Sequence, residues 1–451
     1  MKVFGSSGTR GVANREVTPT FVLRVARAAG TVWDADRVAL ARDTRTTGEM
    51  LADAAASGLA SVGADIDRLG IVPTPGAQAY AEREGVPAIV VTASHNPPQF
   101  NGLKLVGSDG VELAVADLEA VEATLTDETF ATADWDAVGD AARVDGVRED
   151  YVEAVLSAVD RERIAAADLT VALDPGHGAG ALTSPEFFRR LGCRVVTVNA
   201  QPDGRFPGRN PEPVPEHLDD LGRLVRAGDA DIGIAHDGDA DRAIFYDERG
   251  EYVEGDATLA ALAAAELEPG DVTVSAVNVS QRLVDVVDDR GADLELTPIG
   301  STNIITRIEE LLAAGERVPV AGEGNGGVLF PEYRLARDGA YTAARFLELL
   351  AQRPASDVVA PYDDYHNVRA NVDYDGDDER AAMLAAIADR AAETDADVTD
   401  IDGHRFDHGD AWALARPSGT EPLIRVYAEA RSRERAQSLV DDLQETMDAA
   451  R

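Results

Sequence analysis

The sequence predicts an α/β fold with a mostly parallel sheet, and three observations carry that reading. Short apolar runs of strand length alternate with helix-length stretches. The runs empty into polar loops rich in glycine, proline and hydroxyls, the place where open α/β sheets bind ligands. At 451 residues and 45% hydrophobic content, the chain has material for about three domains, each expected to hold its own core.

Charge narrows the function. Lys and Arg number 42 against 82 Asp and Glu, a formal net charge of −40. Such an excess disfavours nonspecific binding to nucleic acid or to an anionic membrane. Acidity spread along the chain, with arginine almost replacing lysine, predicts a halophilic protein kept soluble where salt screens charge within about 3 Å. Only Lys2 and Lys104 are lysines, so a retained Lys104 calls for a reason; a lysine, unlike an arginine, gives up its proton when buried or near other cations. The lone Cys193 excludes an intramolecular disulfide. Neither a signal-peptide pattern at Met1–Gly8 nor an apolar run of about 18 residues is present, and a soluble cytoplasmic protein is expected.

In chain order, Phe4 to Gly11 (FGSSGTRG) is a glycine- and hydroxyl-rich segment around Arg10, suited to an anion or to a plain turn. A helix capped by Thr18, with Pro19 in its first turn, is expected to stop at Gly30. Val38-Ala39-Leu40 reads as a buried strand ending in the polar loop Arg42–Gly48, which can hold an anion at a helix start. Ile71–Gly76 is another rigid loop at a strand end.

The centre of the first unit is Ile89–Gly110, IVVTASHNPPQFNGLKLVGSDG. An apolar strand runs into two prolines, which lack N–H groups and restrict their predecessors, so Ser94 is presented on a stiff turn. His95 beside it invites a serine-base reading, weighed against a turn residue. Lys104 follows the turn-prone Asn101-Gly102. The first boundary falls in the weakly patterned Thr126–Gly146, giving units 1–148 and 149–253.

In the second unit, Asp174-Pro175-Gly176-His177-Gly178-Ala179-Gly180 follows a strand like a dinucleotide fingerprint, but Pro175 sits in the turn and the expected acidic partner is missing. Pro202–Pro213 is proline-rich and expected as an ordered surface loop. Asp237-Gly238-Asp239-Ala240-Asp241-Arg242 lies between two strand-like runs, and its alternate carboxylates suit a hard divalent cation. A calcium EF-hand, with Glu248 at the twelfth loop position, is the weaker reading, because Arg242 stands where glycine is required and the flanks are strands.

The third unit, 254–360, has strands at Val272–Ser275, Leu294–Thr297 and Val318–Ala321, the last opening into Gly322-Glu323-Gly324-Asn325-Gly326-Gly327, where glycines admit a ligand and Glu323 and Asn325 grip hydroxyls. This strand-and-polar-loop pattern recurs three times, a faint internal repeat. The last unit, 361–451, contains Arg416-Pro417-Ser418-Gly419-Thr420-Glu421-Pro422 before the strand Leu423–Tyr427, a cluster of arginine, hydroxyls and loop N–H groups suited to phosphate. A closing helix capped by Ser432 buries Ala436, Leu439, Val440, Leu443 and Met447.

The loops TASHNP, DGDADR, GEGNGG and RPSGTEP, with FGSSGTRG, together resemble the α-D-phosphohexomutase family over nearly the whole chain. The resemblance implies four domains around a central cleft: three related α/β domains with mixed sheets and a smaller C-terminal α+β domain. It implies that Ser94 carries a phosphoryl group, that Asp237, Asp239 and Asp241 with Ser94 hold Mg²⁺, and that Glu323 and Asn325 contact the sugar. Arg416, Ser418, Gly419, Thr420 and Arg425 would bind the phosphate not in transfer, and Arg242 would join the substrate-binding set. Arg10 and Lys104 would flank the reacting centre, Lys104 by charge and proton transfer. The family's sugar loop commonly reads Glu-x-Ser-Gly-His, and Asn325 and Gly327 here replace its serine and histidine, as in archaeal members. The expected activity interconverts sugar 1-phosphate and 6-phosphate through a bisphosphate, on glucosamine, mannose or glucose. A phosphopentomutase of the same family and a metal-dependent phosphomonoesterase are the alternatives, and the expected protein is a monomer or homodimer without nucleic-acid or membrane partners. The missing Gly-x-Ser-x-Gly elbow counts against an esterase.

Overall fold

The structure is a computed structural model and describes residues 4–5, 8–418 and 422–451. Its first sheet has six strands: β1 (Thr9–Val12), β2 (Arg37–Arg42), β3 (Asp65–Ile71), β4 (Ala88–Val91), β5 (Phe100–Val106) and β6 (Ala141–Arg143), ordered β1-β5-β4-β2-β3-β6. β4, β2, β3 and β6 are parallel, while β5 runs against β4 and β1 against β5. Because side chains alternate along a strand, Ile89 and Val91 face helices Pro19–Trp33 and Gly48–Ala60, and Ala88 and Val90 face helix Thr74–Glu84. Both faces are covered, which explains the unbroken apolar run.

Two local expectations fail here. Thr18 does cap its helix, accepting from Phe21 N at 3.2 Å, but the helix continues past Gly30 and closes on Asp34, whose N–H donates to Gly30 O. Gly30 is small for packing instead: a Cβ there would lie 2.8 Å from Val62 Cγ2. Asn101-Gly102 forms no turn but lies inside β5, where a Cβ on Gly102 would meet Thr9 O at 2.1 Å. Strand pairing on both sides overrides the turn signal.

The second sheet contains β7 (Thr170–Asp174), β8 (Arg194–Thr197), β9 (Ile232–Ala235), β10 (Ile244–Tyr246) and β11 (Tyr252–Val253), ordered β11-β10-β9-β7-β8. β9 and β10 are an antiparallel hairpin whose loop is the acidic motif. Strand flanks remove the EF-hand reading, and Glu248 instead accepts from Ser356 N at 3.1 Å. The glycines after β7 serve packing: a Cβ on Gly178 would sit 2.5 Å from Gly238 O. Pro202–Pro213 is irregular as expected but not superficial, since Phe206 and Arg209 are buried and Arg209 donates to Asp174 at 3.0 Å.

The third layer pairs β12 (Val272–Ala276) in parallel with β13 (Asp293–Thr297), beside an antiparallel set of β14 (Ala321–Glu323), β15 (Gly327–Phe330) and β16 (Arg334–Arg337). The strand expected from Val318 begins only at Ala321. Pro319 has no N–H for a ladder, and hydroxyls of β12 bridge the gap, Thr273 to Val320 O at 2.8 Å and Ser275 to Gly322 O at 2.6 Å. The first and last units hold their own apolar clusters, whereas the second and third share one that runs from Tyr151 to Val358, with Phe245 and Phe346 stacked at 4.5 Å.

The last sheet is antiparallel: β17 (His366–Asp373), β18 (Asp397–Thr399), β19 (His404–Asp407), β20 (Ala411–Pro417) and β21 (Leu423–Ala430), ordered β17-β21-β20-β19-β18. Helices Asp377–Glu393 and Arg433–Asp448 cover its apolar face. Ser432 caps the second of these, and the five residues expected to be buried are buried.

Candidate active site

Ser94 sits in the loop between β4 and β5 with φ +49, a left-handed conformation that costs a residue with a Cβ roughly 1–2 kcal/mol. The surroundings hold it there. Ser94 N donates to Thr92 Oγ1 at 2.9 Å, and Thr92 donates to Asp43 at 2.7 Å. Asp43 is bound in turn by the fully buried Arg45 at 3.0 Å. The remaining Arg45 nitrogens donate to the carbonyls of Ser94, Asn96, Pro97 and Phe100 at 2.6–2.9 Å. Arg45 was expected in an anion-binding loop; its donors are instead spent on Asp43 and on the Ser94 loop.

The Ser94 hydroxyl is 1% exposed and donates to Asp237 Oδ2 at 2.6 Å. Asp237, Asp239 and Asp241 are buried with carboxylate oxygens within 4.8 Å of one another. Asp239 accepts from Thr74 at 2.6 Å and from Lys104 at 3.0 Å. Asp241 accepts from Lys104 and from Arg337, each at 2.7 Å.

These partners split the three acids. Burial raises all of them, but Lys104 and Thr74 hold Asp239 below the usual carboxylate range, and Arg337, Lys104 and Arg242 do the same for Asp241. Asp237 has less compensation: burial, then Asp241 and Asp239, push it well above that range. Among the described residues Asp239 Oδ1 and Asp241 Oδ1 are buried without a hydrogen-bond partner. Orphaned oxygens, a carboxyl short of positive charge and an all-oxygen donor set fit a hard divalent cation.

Lys104 does not match the expected proton donor and acceptor. Burial works against its charge, but Asp239, Asp241 and Glu112 outweigh it and raise its pKa above the ordinary lysine value. Arg337 opposes them without reversing the balance, which favours the protonated form of Lys104. His95 departs from the serine-base reading in a similar way. Its Nδ1 is 3.4 Å from Ser94 Oγ but accepts from Arg242 at 3.0 Å, with Arg10 Nη1 3.5 Å from Nε2. Burial, then Arg242 and Arg10, depress its pKa far below the usual histidine value, and the ring stays neutral with its acceptor nitrogen occupied. Arg10 also donates to Asn96 at 3.1 Å, which puts it beside the Ser94 loop as expected.

A cleft of about 570 Å³ extends from Arg242 along Asp256, Ser275, Glu323 and Asn325 to Arg369 and Tyr427 of the last sheet. Glu323 and Asn325 flank the β14–β15 turn, with Asn325 Nδ2 donating to Glu323 at 3.3 Å. Arg416 and Arg425 face each other across β20 and β21, on the side of the sheet that carries Tyr427. Arg416 bonds Asp402 at 3.0 Å, and Ser418 N donates to Leu423 O. Gly419 and Thr420, like Ser6 and Ser7 of the first loop, lie outside the described residues. Thr74, Glu112 and Arg337 escaped sequence reasoning, and Arg45 was read only as part of an anion-binding loop.

Profiles described as "Phosphoglucomutase/phosphomannomutase, alpha/beta/alpha domain" I, II and III match residues 1–132, 149–250 and 254–365, and one for the C-terminal domain matches 370–446. The chain is 39% identical over 450 residues to a phosphoglucomutase/phosphomannomutase of Thermococcus kodakarensis, covering 98% of this chain and 97% of that one. It is 38% identical over 447 residues to a probable phosphoglucosamine mutase of Methanopyrus kandleri, covering 98% and 96%. A crystal structure of a phosphoglucomutase/phosphomannomutase family protein from Burkholderia thailandensis is similar throughout, with TM-score 0.85, 28% identity and coverage of 100% and 97%. Fold, cleft and relatives together define a phosphohexomutase, an isomerase-class enzyme of sugar phosphates. The chain belongs to the phosphoglucomutase/phosphomannomutase family, as the resemblance of its loops implied.

Proposed function

We propose that Ser94 is the phosphoryl carrier of a mutase that interconverts hexose or hexosamine 1-phosphate and 6-phosphate. The observation that carries this is the Ser94 hydroxyl held 2.6 Å from Asp237 beside the carboxylate cluster. In the first half of the cycle the Oγ–P bond of phosphorylated Ser94 breaks while a sugar hydroxyl bonds to phosphorus; the proton that hydroxyl loses is matched by the one Ser94 Oγ regains. The bisphosphate turns around, and its other phosphate returns to Ser94. Asp237, Asp239, Asp241 and a phosphate oxygen on Ser94 would hold Mg²⁺, which when bound neutralises charge on the transferring group.

Lys104 and Arg10 supply fixed positive charge next to that group, Lys104 without giving up its proton. Glu323 and Asn325 orient the ring through its hydroxyls. Arg416, Ser418, Gly419, Thr420 and Arg425 hold the idle phosphate, an element a plain phosphomonoesterase would not need.

Intact-mass measurement before and after phosphatase treatment tests the carrier, and a coupled assay over glucose, mannose, glucosamine and ribose 1-phosphates tests the substrate. Absence of any phosphate on active enzyme would overturn the Ser94 role. Among the described residues no helix is long and apolar enough to cross a membrane. We infer a cytoplasmic enzyme of a salt-rich cell from the net charge of −40; a fold held equally well at millimolar and molar salt would refute that.

A further inference from the structure

The cleft beside Glu323 carries more carboxylate than a neutral sugar requires. Glu254, Asp256 and Glu323 line the same cavity. Asp256 lies in the first turn of helix Gly255–Glu266, and the turn bearing Glu323 and Asn325 is pressed against it. A Cβ on Gly324 would come within 2.1 Å of Asp256 Oδ1, and one on Gly255 within 2.0 Å of Gly324 O. Glycine at both positions lets the two acids border one patch of the cleft. Among the described residues no group donates a hydrogen bond to the Asp256 carboxylate. Its charge is poorly compensated: burial, then Glu429, with Glu254 adding to them, push its pKa up to about 7 against the pull of Arg282 and Arg369.

A carboxylate left without a donor at a binding surface is costly unless the ligand supplies one. A hydroxyl supplies one donor and no charge; a protonated amine supplies three donors and the missing positive charge. We propose that Asp256, with Glu323 on the other side of Gly324, reads an ammonium group on the sugar, making the substrate a hexosamine phosphate with a free amine and Asp256 its selectivity residue. This rests on the mutase reading above. Because that cycle turns the sugar end for end, the amine is presented in two places, and carboxylates on both sides of Gly324 serve both. Acetylation would remove the charge that Asp256 reads.

The test compares kcat/KM for glucosamine 1-phosphate, glucose 1-phosphate and N-acetylglucosamine 1-phosphate in the full chain and in Asp256→Asn. The wild type is expected to favour the free amine over both neutral sugars by about 10- to 100-fold, the worth of one charged hydrogen bond. Asp256→Asn should lose that preference, with kcat/KM for glucosamine 1-phosphate falling about tenfold or more further than that for glucose 1-phosphate. Equal losses on both sugars would mark Asp256 as structural and overturn the proposal. So would a wild type that accepts N-acetylglucosamine 1-phosphate as readily as the amine, a result independent of how the variant folds. A wild type inert toward every sugar phosphate would instead overturn the mutase reading, and this inference with it.

Discussion

Arg416 and Arg425 occupy directly opposed positions of the antiparallel pair β20–β21, so two guanidinium groups leave the sheet on one face. The alternation that puts Tyr427 and Arg369 in the cleft puts these two on the same side, where both can donate to one anion. Arg425→Gln should therefore increase KM for the sugar phosphate about tenfold or more. Inorganic phosphate should raise the wild-type melting temperature more than that of the variant.

Removing the nucleophile separates binding from transfer. Ser94→Ala should bind sugar phosphate but show no turnover and no phosphatase-sensitive mass. Residual phosphate on that variant would place the carrier elsewhere.

Lys104 bonds Asp239 at 3.0 Å and Asp241 at 2.7 Å. Lys104→Met takes the nearest cation from Asp239 and leaves Asp241 and Glu112 to Arg337, at a cost of about 3–5 kcal/mol read from chemical denaturation. Its kcat should fall about 10²- to 10³-fold, and Lys104→Arg should retain more of both. A pH–rate limb near neutrality that disappears in Lys104→Arg would restore the proton-transfer role.

Arg45 ties the Ser94 loop to Asp43. Arg45→Ala should cost about 3–5 kcal/mol, because a buried acid and several carbonyls lose their donor together. Lysine cannot reproduce the planar fork, so Arg45→Lys should recover little of the stability and little of kcat.

Asp256 makes stability depend on pH. Its folded pKa of about 7 lies above the ordinary 3.8, so between those values the native state keeps a proton that the unfolded chain has lost. The associated stabilisation is complete below pH 3.8 and disappears as pH rises through 7. Asp256→Asn should match the wild type near pH 4 and exceed it above pH 7 by on the order of a few kcal/mol. Parallel denaturation curves across that range check the sign.

What the sequence revealed was local. Pro97 and Pro98 announced the stiff Ser94 turn, alternate aspartates announced the metal-type loop, and the 3.6-residue spacing from Ala436 to Met447 announced the last helix. Misreadings arose where distant segments decide. Asn101-Gly102 became strand because β1 and β4 lie on either side, and Gly30 stayed helical because Val62 needed the room. The partners of Arg45 lie some fifty residues away, and nothing in its neighbours foretells them. Lys104 was conspicuous by rarity, yet the two acids that most favour its charge, Asp239 and Asp241, come from the loop of a different sheet.

The Arg45 clasp on the carbonyls of Ser94, Asn96, Pro97 and Phe100 makes that stretch an anvil rather than an arm. An immobile workpiece holder cannot follow its guest. In the proposed cycle the somersault between the two transfers then falls to the sugar and not to the serine.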